Sequence, residues 1–280
     1  MKKTTSNTFY KLKKNREKFA ALTAYDVTSA QLCKEAKIPL VLVGDSASMV
    51  VFGFDSTLPI NMEEMVVLTR AVKRSNDYSF IVSDMPFMSY QASSVTALKN
   101  AGKLIKNGAD AVKVEGGVEI CRSVEKMVAS GIPVVGHIGL QPQSINLYGQ
   151  YRIQGKTTKE AQKIINSAKQ LENAGVLMLV LECIPYELAG HITNLINIPT
   201  IGIGSGVLCD GEIQVFHDIV GLNKNFSPRH SKKYLEGYSL LLRSIKKYQK
   251  EIKNRTFPSK KNSSFANQNL VEFLKANENS

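Results

Sequence analysis

Cysteine is scarce in these 280 residues: Cys33, Cys121, Cys183 and Cys209 stand far apart, and no CxxC pair occurs. That spacing argues against a zinc site or a disulfide framework and leaves reduced thiols in a cytoplasmic setting as the expectation. Long hydrophobic runs are missing too. None approaches the roughly 18–20 residues a membrane span needs, so no membrane partner is expected. The start, Met1-Lys2-Lys3-Thr4-Thr5, is basic. No apolar stretch of about 7–15 residues follows it, which argues against a secretory signal. No internal repeat stands out, and the glycines at 202, 204 and 206 lack the G-x-G-x-x-G spacing of a dinucleotide loop.

Positive charge is plentiful, but not where a nucleic acid would use it. The formal net charge is +12. Residues 1–20 hold seven Lys/Arg against one Glu, and residues 222–280 hold thirteen against four, so residues 21–221 are slightly acidic. A nucleic-acid enzyme concentrates cations around its working groove. There is also no interleaving of aromatic with basic residues and no basic-region heptad. No specific nucleic-acid partner is expected, and the lysine-rich ends read as solvated surface.

What the chain does have is alternation. Short apolar runs occur at Phe19–Tyr25, Leu40–Asp45, Phe80–Met85, Ala111–Glu115, Pro133–Ile138, Leu177–Cys183 and Thr200–Ile203, with a weaker eighth at Gln214–Val220. Runs such as LVLVGD and VVGHIG lack polar alternation, as strands buried on both faces of a parallel sheet do. Amphipathic stretches lie between them. Val95–Asn107 has helical spacing and stops at Gly108; Thr158–Asn173 stops near Gly175. This pattern predicts an α/β fold, a (β/α)8 TIM-type barrel, with a doubly wound open sheet as the alternative. Residues 1–265 are read as one barrel domain with a basic N-terminal helix. Residues 266–280 are read as a flexible tail with a helical turn or two.

In such a barrel the chemistry sits where strands end. Asp45, Asp84, Glu115 and Glu182 all end apolar runs. Converging carboxylates repel one another unless a cation neutralises them, and hard oxygen donors without a Cys/His cluster favour Mg²⁺ over zinc. For any one acid, capping the next helix is the alternative. Lys113 and Glu115 are two apart and share a face. Lys113 can pair with the acids, hold a substrate carboxylate or form a Schiff base. His137, between glycines, is either a core histidine or a hydrogen-bond donor to substrate. The glycines at 202–206 read as close backbone packing. Strand alternation turns Cys183 away from Glu182, toward the helices, as a small buried hydrophobe.

The segments Leu22-Thr23-Ala24-Tyr25-Asp26, Val43-Gly44-Asp45-Ser46, Asp55-Ser56-Thr57-Leu58-Pro59, Ser83–Met88, Val112–Gly117, Gly136–Ser144 (GHIGLQPQS), Leu181–Pro185, Ile201–Gly206 and His217-Asp218 follow one another in a familiar order. Over residues 4–265 the chain resembles the ketopantoate hydroxymethyltransferase family. The resemblance implies a Mg²⁺-dependent barrel transferring a hydroxymethyl group from 5,10-methylenetetrahydrofolate to the 2-oxo acid 3-methyl-2-oxobutanoate. It implies that Asp45, Asp84 and Glu115 serve the metal, that Asp45, Ser46, Asp84, Lys113 and His137 contact substrate, and that Glu182 accepts the proton. It also implies a homo-oligomer, often a decamer. Ser48, Gln150 and Ser205 depart from the family's usual Gly, Gly and Ala. The rival readings are a related lyase or mutase of 2-oxo acids, a Schiff-base enzyme using Lys113, and a basic binding protein without catalysis.

Overall fold

The computed structural model describes residues 2–150, 152–224 and 228–278. Eight strands close in chain order: β1 (Phe19–Thr23), β2 (Leu40–Val43), β3 (Phe80–Asp84), β4 (Ala111–Glu115), β5 (Val134–Gly139), β6 (Met178–Glu182), β7 (Thr200–Ile203) and β8 (Gly211–Gln214). Every neighbouring pair is parallel, including β1 with β8. The fold is therefore a (β/α)8 barrel and not an open sheet.

Both faces of each wall are covered, which is why the strands read as unbroken apolar runs. Leu40, Leu42, Phe80, Val82, Val135 and Val180 fill the interior. Val41, Val43, Ile81, Val112 and Val114 point outward into the helical layer. Each fully buried aliphatic side chain of this kind contributes roughly 1.5–3 kcal/mol. The helices begin and end where the polar residues direct. Asn61 Oδ1 accepts from the N–H groups of Glu63 and Glu64 to start Met62–Ser75, and Ser93 and Thr157 cap Ser94–Lys106 and Thr158–Asn173.

The basic N-terminal helix spans Ser6–Asn15. Its Phe9 is wholly buried, with ring centroids 5.0 Å from Phe19 and 5.8 Å from Phe80. These three rings close the N-terminal end of the barrel. Lys13 pins the helix there, its Nζ donating to Asp210 Oδ2 (2.8 Å) and to the Thr193 carbonyl (2.9 Å).

Two expectations shift. The eighth strand is Gly211–Gln214, whereas Gln214–Val220 is a turn into the short helix Phe216–Ile219. Gly211 is what allows this, because a Cβ there would lie 2.5 Å from the Phe19 ring. The apolar pair Val215-Phe216 imitates a strand, but the Phe216 N–H donates to Thr23 Oγ1 at 2.9 Å as the chain turns over the barrel mouth. The tail holds a ten-residue helix, Gln268–Asn277, longer than a turn or two. Residues 279–280 lie outside the described residues. Every residue from 252 to 278 is exposed. Deleting residues 266–280 is therefore expected to leave kcat within about twofold of the parent, as exposed changes away from the core commonly do. A steady-state assay of the truncated chain checks this, and a large loss would put the tail at the site or at an interface.

Candidate active site

Register brings the predicted residues together. Side-by-side residues on parallel strands share a face. Asp84 lies beside Lys113, Glu115 beside His137, and Gly139 beside Glu182. Asp45, Asp84, Lys113, Glu115 and His137 are all buried and all line one cavity at the barrel mouth, with Ser46 and Glu182 on its wall. None of the four acids acts as a helix cap. That role goes to Asp26, which accepts from the Ser29 N–H at 2.8 Å.

The contacts form a chain. Lys113 Nζ lies 3.2 Å from Asp84 Oδ1 and 3.6 Å from Glu115 Oε1. His137 Nδ1 lies 3.3 Å from Glu115 Oε1, and its Nε2 lies 3.2 Å from Glu182 Oε2. The Asp45 N–H donates to Asp84 Oδ2 at 2.9 Å. Ser46 Oγ is 2.8 Å from the Tyr25 hydroxyl. Two buried atoms in the group lack an aligned hydrogen bond, Asp84 Oδ1 and His137 Nε2. Lys113 and His137 meet their acids there by charge and not by linear hydrogen bonding.

The electrostatics follow from this packing. Burial and the neighbouring Asp84 and Glu115 charges push the Asp45 carboxyl well above the usual carboxylate range. Burial also raises Asp84, and Lys113 and the Asp45 N–H only partly offset it. For Glu115, burial acts upward, but Lys113 and His137 outweigh it and the carboxyl lies below its ordinary value. Burial works against the Lys113 charge, yet Asp84, Glu115 and Asp45 more than restore it. Burial and Lys113 oppose the His137 charge, while Glu115 and Glu182 raise the imidazole to about 9. The surrounding acids thus favour the charged form of both Lys113 and His137. Their own approach, 3.2 Å from Nζ to Nδ1, is repulsive and is bridged by Glu115 Oε1. A lysine held charged by three carboxylates has no free lone pair for a Schiff base.

Four carboxylates against two cations leave two negative charges in a buried site. A divalent cation balances them; without one, a proton on Asp45 is the cheapest relief. Among the described residues no three His, Cys, Asp or Glu side chains are already gathered into a metal-binding group. Mg²⁺ does not require that, since it keeps several waters and takes one or two carboxylates. Asp45 and Asp84 could supply hard oxygens of that kind; Asp84 Oδ1 has no aligned hydrogen bond, although Lys113 Nζ lies 3.2 Å from it. Glu115 is the most occupied of the three acids, with Oε2 accepting from the Gln143 N–H at 2.9 Å and Oε1 shared by Lys113 and His137.

One expectation is overturned. Cys183 does not turn into the helical layer. β6 ends at Glu182, and Cys183 takes a left-handed backbone (φ 49°), which puts it on the cavity wall beside Glu182. Alternation stops applying where the strand stops. Burial, and then the Glu182 charge, push its thiol up to about 12, so it is no thiolate nucleophile. The glycines behave as packing residues: a Cβ on Gly206 would meet the Tyr186 ring at 2.3 Å. Ser48 and Ser205 are buried; Ser205 Oγ donates to the Leu181 carbonyl at 2.8 Å and so ties the β6 turn. Ordered contacts that residue reasoning left without a role are those of Tyr25, Tyr90 and Gln143. Gln143 lay inside the GHIGLQPQS segment, while nothing in the sequence marked Tyr90.

Comparison with known proteins agrees with this geometry. A 3-methyl-2-oxobutanoate hydroxymethyltransferase from Thermosipho melanesiensis is 50% identical over 248 residues, 89% of this chain and 94% of its own length. One from Carboxydothermus hydrogenoformans is 50% identical over 264 residues, 94% and 96% of the two chains. Among solved structures, a phosphonopyruvate hydrolase in complex with oxalate and Mg²⁺ shares the fold at TM-score 0.60 and 9% identity, covering 99% of this chain and 96% of its own. A 2,3-dimethylmalate lyase does so at TM-score 0.59 and 12% identity, covering 99% of each. Those barrels mark the architecture alone. The family model for ketopantoate hydroxymethyltransferase matches residues 3–260, a span that holds every side chain of the mouth, and the chain belongs to that family.

Proposed function

We propose that this enzyme transfers a hydroxymethyl group from 5,10-methylenetetrahydrofolate to 3-methyl-2-oxobutanoate, giving ketopantoate for pantothenate synthesis in the cytoplasm. The observation that carries the reading is the pairing of Asp84 with Lys113 and of Glu182 with His137 on one buried floor. Asp45 and Asp84 would hold a Mg²⁺ ion, with Glu115 beside them. When bound, the ion would neutralise these acids and polarise the ketone oxygen of the substrate. Lys113, with Ser46 at the wall, would bind the substrate carboxylate. Glu182 would take the C3 proton, and His137 Nε2 at 3.2 Å would hold that carboxylate in place before the transfer. C3 would then bond to the one-carbon unit as its two bonds to the folate nitrogens break; water would supply the hydroxyl, its other proton and the C3 proton would end on those nitrogens, and tetrahydrofolate would leave.

The cavity, about 1690 Å³, is far larger than a five-carbon acid needs. Arg152, Lys156, Arg229 and Lys232 line it as well, which suits an anionic co-substrate such as a folate. A homo-oligomer, a decamer by family resemblance, is supported by the helix Gly237–Lys253. Only its Gly237 is buried, while Leu241, Ile245 and Tyr248 stand exposed. Such apolar faces mark association surfaces. No helix among the described residues is long and apolar enough to cross a membrane.

The test is hydrogen exchange at C3 of 3-methyl-2-oxobutanoate in D₂O, followed by NMR, with Mg²⁺ and again with EDTA, and with and without folate. Exchange that requires the metal is expected. Exchange surviving EDTA would remove the metal from the proton-transfer step, and no exchange under any condition would reject the substrate.

A further inference from the structure

Gln143 lies just after β5 and is buried, yet every polar group it has is spent on the floor of the site. Its Nε2 donates to Asp45 Oδ2 at 2.8 Å and to the Met85 carbonyl at 2.9 Å. Its Oε1 accepts from the Tyr90 hydroxyl at 2.8 Å and from Gln91 Nε2 at 3.3 Å. Its backbone N–H donates to Glu115 Oε2. The amide has one workable orientation. Rotated by half a turn, its oxygen would face the Met85 carbonyl, which has no proton to give, and, in the metal-bound state, the ionised Asp45 carboxylate. Tyr90 is itself buried; its single hydroxyl proton reaches both Gln143 Oε1 (2.8 Å) and the Glu115 carbonyl (2.9 Å), and its oxygen accepts from the Glu115 N–H at 3.0 Å. Its share of that proton supports the amide orientation that Asp45 and Met85 set.

Asp45 is thereby divided. Oδ2 already accepts from Gln143, which fixes the plane of the carboxylate, and Oδ1 is the oxygen left without a hydrogen-bond partner. Because of this division, we infer that Gln143, supported by Tyr90, is a positioning residue that makes Asp45 a one-oxygen ligand and so selects small octahedral cations over calcium. The inference rests on the reading of Asp45 and Asp84 as a metal site. Magnesium and manganese suit single carboxylate oxygens at near-octahedral angles, whereas calcium takes more ligands and readily uses both oxygens of one carboxylate. A carboxylate free to rotate would lose the discrimination. Partners of this kind, standing behind a ligand, are typically worth 10–100-fold in metal affinity.

The experiment is Mn²⁺ binding to the full-length protein without substrate, read by electron paramagnetic resonance, followed by displacement with Ca²⁺. Gln143→Leu removes the donor to Asp45 but keeps the backbone N–H on Glu115. Tyr90→Phe keeps the ring and removes only the supporting hydroxyl, and serves if the first variant folds poorly. The expected result is Mn²⁺ affinity about 10–100-fold lower in Gln143→Leu, a smaller loss in Tyr90→Phe, and Ca²⁺ displacing Mn²⁺ at a lower ratio in both. A general loosening of the fold would weaken both ions alike, so an unchanged Ca²⁺/Mn²⁺ ratio overturns the inference even where affinity drops. Variants that match the parent in both quantities overturn it while leaving the metal reading standing. A parent protein that binds no Mn²⁺ overturns both.

Discussion

Asp84→Asn is expected to cripple metal-dependent turnover, with kcat lower by about 10²–10³-fold, the scale of losing one preorganised electrostatic group at a reacting oxygen. Asp84 has two jobs that asparagine cannot do. Its Oδ1 balances Lys113 at 3.2 Å, and in the proposed reaction its carboxylate would share the charge of the metal ion. Removing one member of a buried pair costs about 3–5 kcal/mol. The cost here falls at the lower end, because Glu115 stays near Lys113 and Asp45 still acts on its charge. The barrel should remain folded by circular dichroism while Mg²⁺ no longer rescues activity at any concentration. Full activity would take Asp84 out of the metal site.

Glu182→Gln separates proton transfer from binding. The amide can still meet His137 Nε2, so the mouth keeps its shape, but it cannot accept a proton at working pH. Exchange of the C3 proton is expected to fall about 10²–10⁴-fold, the usual contribution of a positioned base. KM for the keto acid should move only a few-fold. An equal loss in kcat and in substrate affinity would instead make Glu182 a binding residue.

Much of this site was legible because parallel barrels make it so. Strands buried on both faces write unbroken apolar runs, and the residue ending each run is placed at the mouth by topology alone. Asp45, Asp84, Glu115 and Glu182 could be found in this way, and the i, i+2 rule put Lys113 with Glu115. The rule failed at Cys183, one residue past the end of β6, where a left-handed backbone replaced strand geometry. It failed again at β8, a four-residue strand whose first residue is a glycine, because the neighbouring Val215-Phe216 carried the stronger apolar signal. Gln143 and Tyr90 were not legible as a pair. They are 53 residues apart, and only the closed barrel brings the hydroxyl and the amide within 2.8 Å. Periodicity describes which way a residue faces along its own element; it says nothing of what a loop from another element will place against it.

The ring stack of Phe9, Phe19 and Phe80 packs the N-terminal end of the barrel interior, opposite the carboxylate cluster. In the proposed reaction a small acid on the carboxylate floor would lie beneath the larger co-substrate in the wide mouth above it. If both enter by that mouth in the proposed reaction, the acid would bind first, the carrier second, and the product would leave only after the spent carrier. Initial-rate patterns for two substrates should accordingly be those of compulsory order. Excess carrier should inhibit by sealing an empty floor, and a leak at Phe9, made by cutting that ring back to alanine, would be felt as lost stability and not as a second way in.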